Sequence, residues 1–107
     1  MSPNQLSLKT KWRSYSLARQ LANIGSEVSR VSFWRQKNEP ENLNRAVDRA
    51  LELFDLTISD KRWRNRLKEI LRLREIFCDF AFQQNNFQVS SKMLNDYFLD
   101  FAVCVAH

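Results

Sequence analysis

One glycine and two prolines in 107 residues leave little material for tight turns. Average usage would supply roughly seven and five. Sandwiches and barrels built from many short strands need such residues, because sharp turns demand a positive or a fixed φ. Their scarcity predicts few turns and long elements, which means helices. A single glycine also rules out a P-loop and a dinucleotide-binding fingerprint. The one histidine, His107, is the last residue, where chains commonly fray. Together with two cysteines it matches no zinc spacing and offers no nucleophile–base pair. No metal, no cofactor and no enzyme activity is implied. No run of about 18 apolar residues occurs, so no membrane span is expected. The polar opening residues do not resemble a secretory signal. The expectation is a cytoplasmic protein with Cys78 and Cys104 as free, buried thiols.

What is present is ordinary globular material, 44% hydrophobic and 27% charged. It is enough for one domain over residues 1–107, with 1–7 expected to be disordered. The net charge of +5 is unevenly placed. Residues 1–37 carry seven Lys or Arg against Glu27, residues 38–60 carry two against six acids, and residues 61–107 carry eight against five.

Stepping at ~100° per residue gives four amphipathic segments. They predict an all-α, up-down antiparallel four-helix bundle with helices over 8–36, 41–58, 60–84 and 91–106. In the first, Leu17, Leu21, Ile24, Val28 and Val31 form a narrow stripe. Beside it runs a row of small residues, Ser14, Ala18, Ala22, Gly25, Ser29 and Ser32. Such a row suits either a docking groove or close packing against a helix of the same chain. The second helix follows a break at residues 37–41, where Asn38 suits a left-handed conformation and Pro40 a first helical turn. Ser59 and Asp60 are both good N-caps for the third. With Ser59 as cap, Ile58 and Trp63 would form a hydrophobic staple and fix a helical hairpin.

The third helix is apolar over about 240° of its wheel, far more than a surface helix needs. It must be covered on at least two sides, by sister helices, by a second subunit, or by both. Arg74 lies inside that arc and must snorkel outward or pair with an acid from another helix. The fourth helix, capped by Ser90 or Ser91, turns Met93, Leu94, Tyr97, Phe98, Phe101, Ala102, Cys104 and Val105 inward. Leu99 and Val103 share its other side. An unbroken first helix of about 40 Å would overhang a second of about 27 Å unless it bends near Gly25. An overhang exposing Trp12, Tyr15 and Leu17 favours a homodimer. The candidate dimer interface is Trp12, Tyr15, Leu73, Ile76, Phe80, Leu99 and Val103.

Chemistry is otherwise thin. Asp79 could meet Asp96 or Asp100 across the last two helices, but no acid sits where apolar surroundings would raise its pKa. Lys61, Arg62, Arg64, Arg66, Lys68 and Arg72 crowd the start of the third helix, and Lys9, Lys11, Trp12 and Arg13 repeat the pattern near the first. The former six are the candidate nucleic-acid contacts, since spaced cations neutralise phosphates and a tryptophan can stack on a base.

Residues 12–30 (WRSYSLARQLANIGSEVSR) and 49–60 (RALELFDLTISD) resemble a family of short, uncharacterised bacterial helical proteins, a likeness that implies no activity. By architecture the chain is also similar to four-helix HEPN domains. Those that cut RNA use an Arg followed shortly by His; here the nearest Arg before His107 is Arg74, so this resemblance implies at most a non-catalytic relative. The function expected is a non-catalytic interaction or homodimerisation module. The alternative is a nucleic-acid-associated accessory protein, including a toxin–antitoxin-type component, working through the basic residues between 61 and 74.

Overall fold

Two serines divide the first predicted helix. In the computed structural model, which describes residues 3–106 with side chains from residue 8 onward, α1 spans Pro3–Arg13 and α2 spans Leu17–Gln36. Ser14 Oγ donates to the Lys11 carbonyl at 2.5 Å and closes α1. Ser16 Oγ accepts the Arg19 amide at 3.2 Å and caps α2. The bend therefore falls at residues 14–16, and α2 continues unbroken through Gly25. No overhang results, because Trp12 and Leu17 are buried and Tyr15 packs partly against the core. Within the segment 1–7 the helical backbone of α1 starts at Pro3; Met1, Ser2 and His107, with the fraying expected there, lie outside the described residues.

The next boundary follows the sequence closely. Asn38 takes a φ of 55°, and α3, Pro40–Ile58, starts with proline in its first turn and Glu41 beside the positive end of the helix dipole. Its buried face is Ala46, Val47, Ala50, Leu53, Phe54 and Thr57.

The long third helix also divides. Asp60, not Ser59, is the cap: its carboxylate accepts the Arg62 amide at 3.1 Å. Ser59 instead terminates α3, its Oγ donating to the Leu56 carbonyl. Moving the cap by one residue removes the staple geometry, and Ile58 and Trp63 pack separately at the core's edge. Residues Lys61–Arg66 form a 3-10 segment kinked at Trp63 (φ −101°, ψ 20°), and α4 spans only Leu67–Ala81. After a loop, Ser90 Oγ accepts the Met93 amide and α5 spans Ser91–Ala106. The domain is all-helical, with five α-helices and one 3-10 segment where four helices were expected, and no strand among the described residues.

The centre of the fold is α2, which packs along both α3 and α5. Ser32 meets Ser91 at 2.7 Å and Ser29 meets Asn95 at 3.4 Å, so α5 runs back along α2. Small residues permit this approach: a Cβ built on Gly25 would lie 3.8 Å from the Phe98 ring. The row of small residues on α2 thus accommodates a helix of its own chain. Ser14 leaves the row, since it sits in the turn before α2.

Most of the broad apolar arc of α4 packs against α3 and α5, with Ile70, Leu73, Ile76 and Phe77 buried and Leu71 left exposed. Arg74 resolves its position by facing Asp55 of α3, Nε to Oδ1 at 3.3 Å, although no acceptor lies in line with that buried N–H. At the C-terminal end of α4, Arg35 of α2 donates to the Phe80 and Ala81 carbonyls at 3.3 and 2.8 Å. A cation there satisfies orphan carbonyls and opposes the dipole. Asp79 is 3% exposed, and its two oxygens accept the Asn86 and Phe87 amides at 2.7 and 3.2 Å. It clamps the α4–α5 loop and does not join Asp96, which pairs with Lys92. On α5 only Leu94, Phe98 and Phe101 are buried; Met93, Tyr97 and Cys104 are exposed, contrary to the wide inward face expected. Cys78 is half-buried, and burial raises its thiol pKa against the opposing charge of Arg74.

The space at Gly25 makes a stability prediction. A methyl group there makes ordinary van der Waals contact with Phe98, while alanine removes glycine's entropic penalty in a helix. Gly25→Ala should raise unfolding free energy by about 0.5–1 kcal/mol, read as a higher urea midpoint at unchanged slope.

Candidate interaction sites

Two polar residues sit within apolar stripes: Gln20 on α2 between Leu17 and Ile24, and Thr57 on α3 after Leu53 and Phe54. Both are fully buried. Gln20 Oε1 accepts from Thr57 Oγ1 and from Trp63 Nε1, each at 3.0 Å. Its Nε2 donates to the Trp12 carbonyl at 2.9 Å and, at 3.4 Å, to Asp60 Oδ2. Thr57 Oγ1 in turn accepts Trp12 Nε1 at 3.0 Å. The amide's orientation follows from its partners, since an indole only donates and a carbonyl only accepts. All four hydrogen-bonding positions of the amide are filled. One side chain thereby joins α1, α2, α3 and the 3-10 segment.

The network opens onto the surface through Asp60. Arg62 Nη2 approaches Asp60 Oδ2 at 2.7 Å, and its Nε lies 3.1 and 3.2 Å from the two oxygens. Nη2 also donates to the Tyr15 carbonyl at 3.0 Å, and the guanidinium lies 4.3 Å from the centre of the Trp63 ring. The Arg62 hydrogen bonds hold the Asp60 carboxyl below its ordinary pKa despite burial, and Asp60 raises that of Arg62. Beside this pair is an open cleft of about 430 Å³ lined by Arg13, Ser59, Asp60, Lys61 and Arg62. A second cation–ring contact lies close by, with the Arg19 guanidinium 4.2 Å from the Tyr15 ring centre.

Of the six expected nucleic-acid contacts, three are engaged by acids. Arg66 pairs with Glu69 at 3.5 Å, and Arg72 pairs with Glu75 at 3.4 Å while lying over Phe87. Arg62 is engaged by Asp60. Lys61, Arg64 and Lys68 are exposed and form no ion pair among the described residues. Arg13, brought to Lys61 and Arg62 by the fold, was absent from the expected set, because nothing in sequence spacing places residue 13 beside residue 61.

Of the expected dimer residues, Trp12, Leu73 and Ile76 are buried in the chain's own core and cannot meet a partner. Tyr15 and Phe80 are partly buried against the same core. Only Leu99 and Val103 are mostly on the surface, 63% and 51% exposed. Leu99 lines a groove of about 390 Å³ together with Ala22, Gly25, Ser26 and Ser29 of α2 and Asn95, Phe98 and Ala102 of α5. Phe33, four residues beyond Ser29 on α2, is also exposed. No charged residue lines the groove. Among the described residues, no three His, Cys, Asp or Glu side chains converge as metal ligands, and no helix is long and apolar enough to cross a membrane.

The network generates two predictions. Gln20→Glu keeps the shape but presents an acceptor to the Trp12 carbonyl and to Asp60. It should lower stability by about 3 kcal/mol at neutral pH, measured by denaturant unfolding. Asp60 contributes through a depressed folded-state pKa, so its stabilisation is complete above the unfolded value of about 3.9 and is lost as pH falls below it. Urea midpoints should therefore fall more steeply with acidification for the native chain than for Asp60→Asn.

Comparison of the chain with family models, with curated proteins and with solved structures returns no match.

Proposed function

We propose that this chain is a non-catalytic helical module that self-associates, two copies meeting on the uncharged face shared by α2 and α5. In this reading α2, α3, α4 and α5 form an up-down antiparallel bundle, and α1 folds back on one end of it. The observation that carries the proposal is the juxtaposition of knob and groove. Leu99, 63% exposed on α5, stands at the edge of a groove lined by Ala22, Gly25, Ser26 and Ser29, with exposed Val103 four residues further along the helix.

A surface holding both features side by side is complementary to itself. A twofold axis brings the leucine of each copy to the groove of the other, the arrangement of an isologous dimer. Charge supports the same partner. The chain carries +5, so copies repel at most orientations, yet Ala18, Ala22, Ser26, Ser29 and Phe33 on α2 and Asn95, Leu99, Ala102, Val103 and Ala106 on α5 bring no charge to this face. Both cysteines are free thiols, which suits the reducing cytoplasm.

Sedimentation velocity tests the proposal. The native chain should sediment at twice 12.8 kDa at micromolar concentration. Leu99→Glu, at an exposed position that leaves the core intact, should weaken association by at least about thirtyfold, since each dimer loses two leucines from its interface. A native chain that remains at 12.8 kDa, or a variant that associates as before, sinks the proposal.

A further inference from the structure

We infer that the cleft between the α1–α2 turn and the α3–3-10 turn is a binding site for a phosphate dianion, contacted by Arg13, Lys61 and the outward edge of Arg62. The inference is independent of self-association, because no residue lines both the cleft and the α2–α5 groove. Two basic runs far apart in sequence meet there only because the Gln20 network ties α1 to the segment after α3.

Four features fit a phosphate group. The cleft, about 430 Å³, is open and has room for it. Its one carboxylate, Asp60, is already engaged: both oxygens face Arg62, and they also receive the Arg62 amide and the Gln20 side chain. Arg62 is held rigidly, by Asp60, by the Tyr15 carbonyl and by contact with the Trp63 ring, while its Nη1 has no acceptor among the described residues. A guanidinium fixed in this way presents its remaining N–H groups without further ordering, which favours oxyanion recognition. Arg13 and Lys61 are exposed and form no ion pair among the described residues. Three cations against one carboxylate leave two positive charges, matching a terminal phosphate, which carries close to two negative charges near neutral pH. A phosphodiester, with one, matches less well.

A terminal phosphate could come from a small molecule or from the end of a nucleic-acid strand, and the experiment separates them. Amide and indole resonances of Lys61, Arg62 and Trp63 are followed at low ionic strength during titration with inorganic phosphate, a 5′-phosphorylated single-stranded hexanucleotide, and the same strand without its phosphate. Chloride at matched ionic strength is the control. Saturable shifts with inorganic phosphate are expected, and Arg13→Ala and Lys61→Ala should each weaken that affinity about fivefold, the scale of one solvent-facing ion pair. Both residues are exposed, so the fold should survive, and circular dichroism confirms it. Tighter binding of the phosphorylated strand assigns the phosphate to a strand end; equal binding assigns it to a small molecule. Shifts that only track ionic strength, equal binding of both strands with none for phosphate, or variants that bind as the native chain does would overturn the inference.

Discussion

A single buried amide, that of Gln20, is what the rest of the structure depends on. Three elements converge on it from outside α2, and between them α1, α3 and the capped 3-10 segment supply four groups that would be costly to bury alone: the Trp12 carbonyl, the Thr57 hydroxyl, the Trp63 indole N–H and the Asp60 carboxylate. Hydrophobic burial is indifferent to small rotations of one helix against another, but a saturated hydrogen-bond set is not, because each lost partner leaves an unsatisfied buried group. The network therefore fixes how α1 folds back, where α3 ends and which way the 3-10 segment faces. The cleft beside Asp60 is a consequence of the same arrangement.

The sequence's charge partition is not cancelled by pairing between helices. Most ion pairs join residues three or four apart in sequence, such as Arg72 with Glu75 and Lys92 with Asp96. Asp55 with Arg74 is the pair that links α3 to α4. Exposed pairs within one helix contribute at most a few tenths of a kcal/mol each, about the scale measured for helix surfaces. The excess of positive charge thus persists at the surface, concentrated where the first basic run meets the second. The α2–α5 face, in contrast, is electrically quiet.

Much of the fold was legible in the residues. The all-helical class implied by scarce glycine, the break at Asn38 and Pro40, the extent of α3, the Ser90 cap and the pairing of Arg74 with an acid from another helix all follow from local chemistry, and the structure contains each. The divided helices were harder to see. Ser14 and Ser16 read as tolerable helix residues until one notices that each can satisfy a backbone group at a helix end. Gln20 and Thr57 had a visible signal, a polar residue at core spacing between Leu17 and Ile24 or after Leu53. What a wheel cannot show is which distant groups answer it. For the same reason the apolar width of α4 drew attention to the wrong helix. Its breadth reflects coverage by α3 and α5, whereas α2, with a narrower stripe, is the hub. The candidate sites were the least legible, since burial of Trp12 and the approach of Arg13 to Lys61 depend on a turn between α1 and α2 that the helical period hides.

Asp79 has an effect beyond its two amide contacts. The loop it holds contains three non-glycine residues in the left-handed region, Gln83, Asn85 and Gln88. Such backbones lie roughly 1–2 kcal/mol above the right-handed form for ordinary residues, asparagine less so. The connection is thus a tensioned clasp rather than a passive tether. Releasing the carboxylate's grip would let those three residues relax together, lengthen the reach of the loop and loosen the seating of Leu94 and Phe98. The position of α5, and with it the shape of the face it shares with α2, is thus set by one acid on α4.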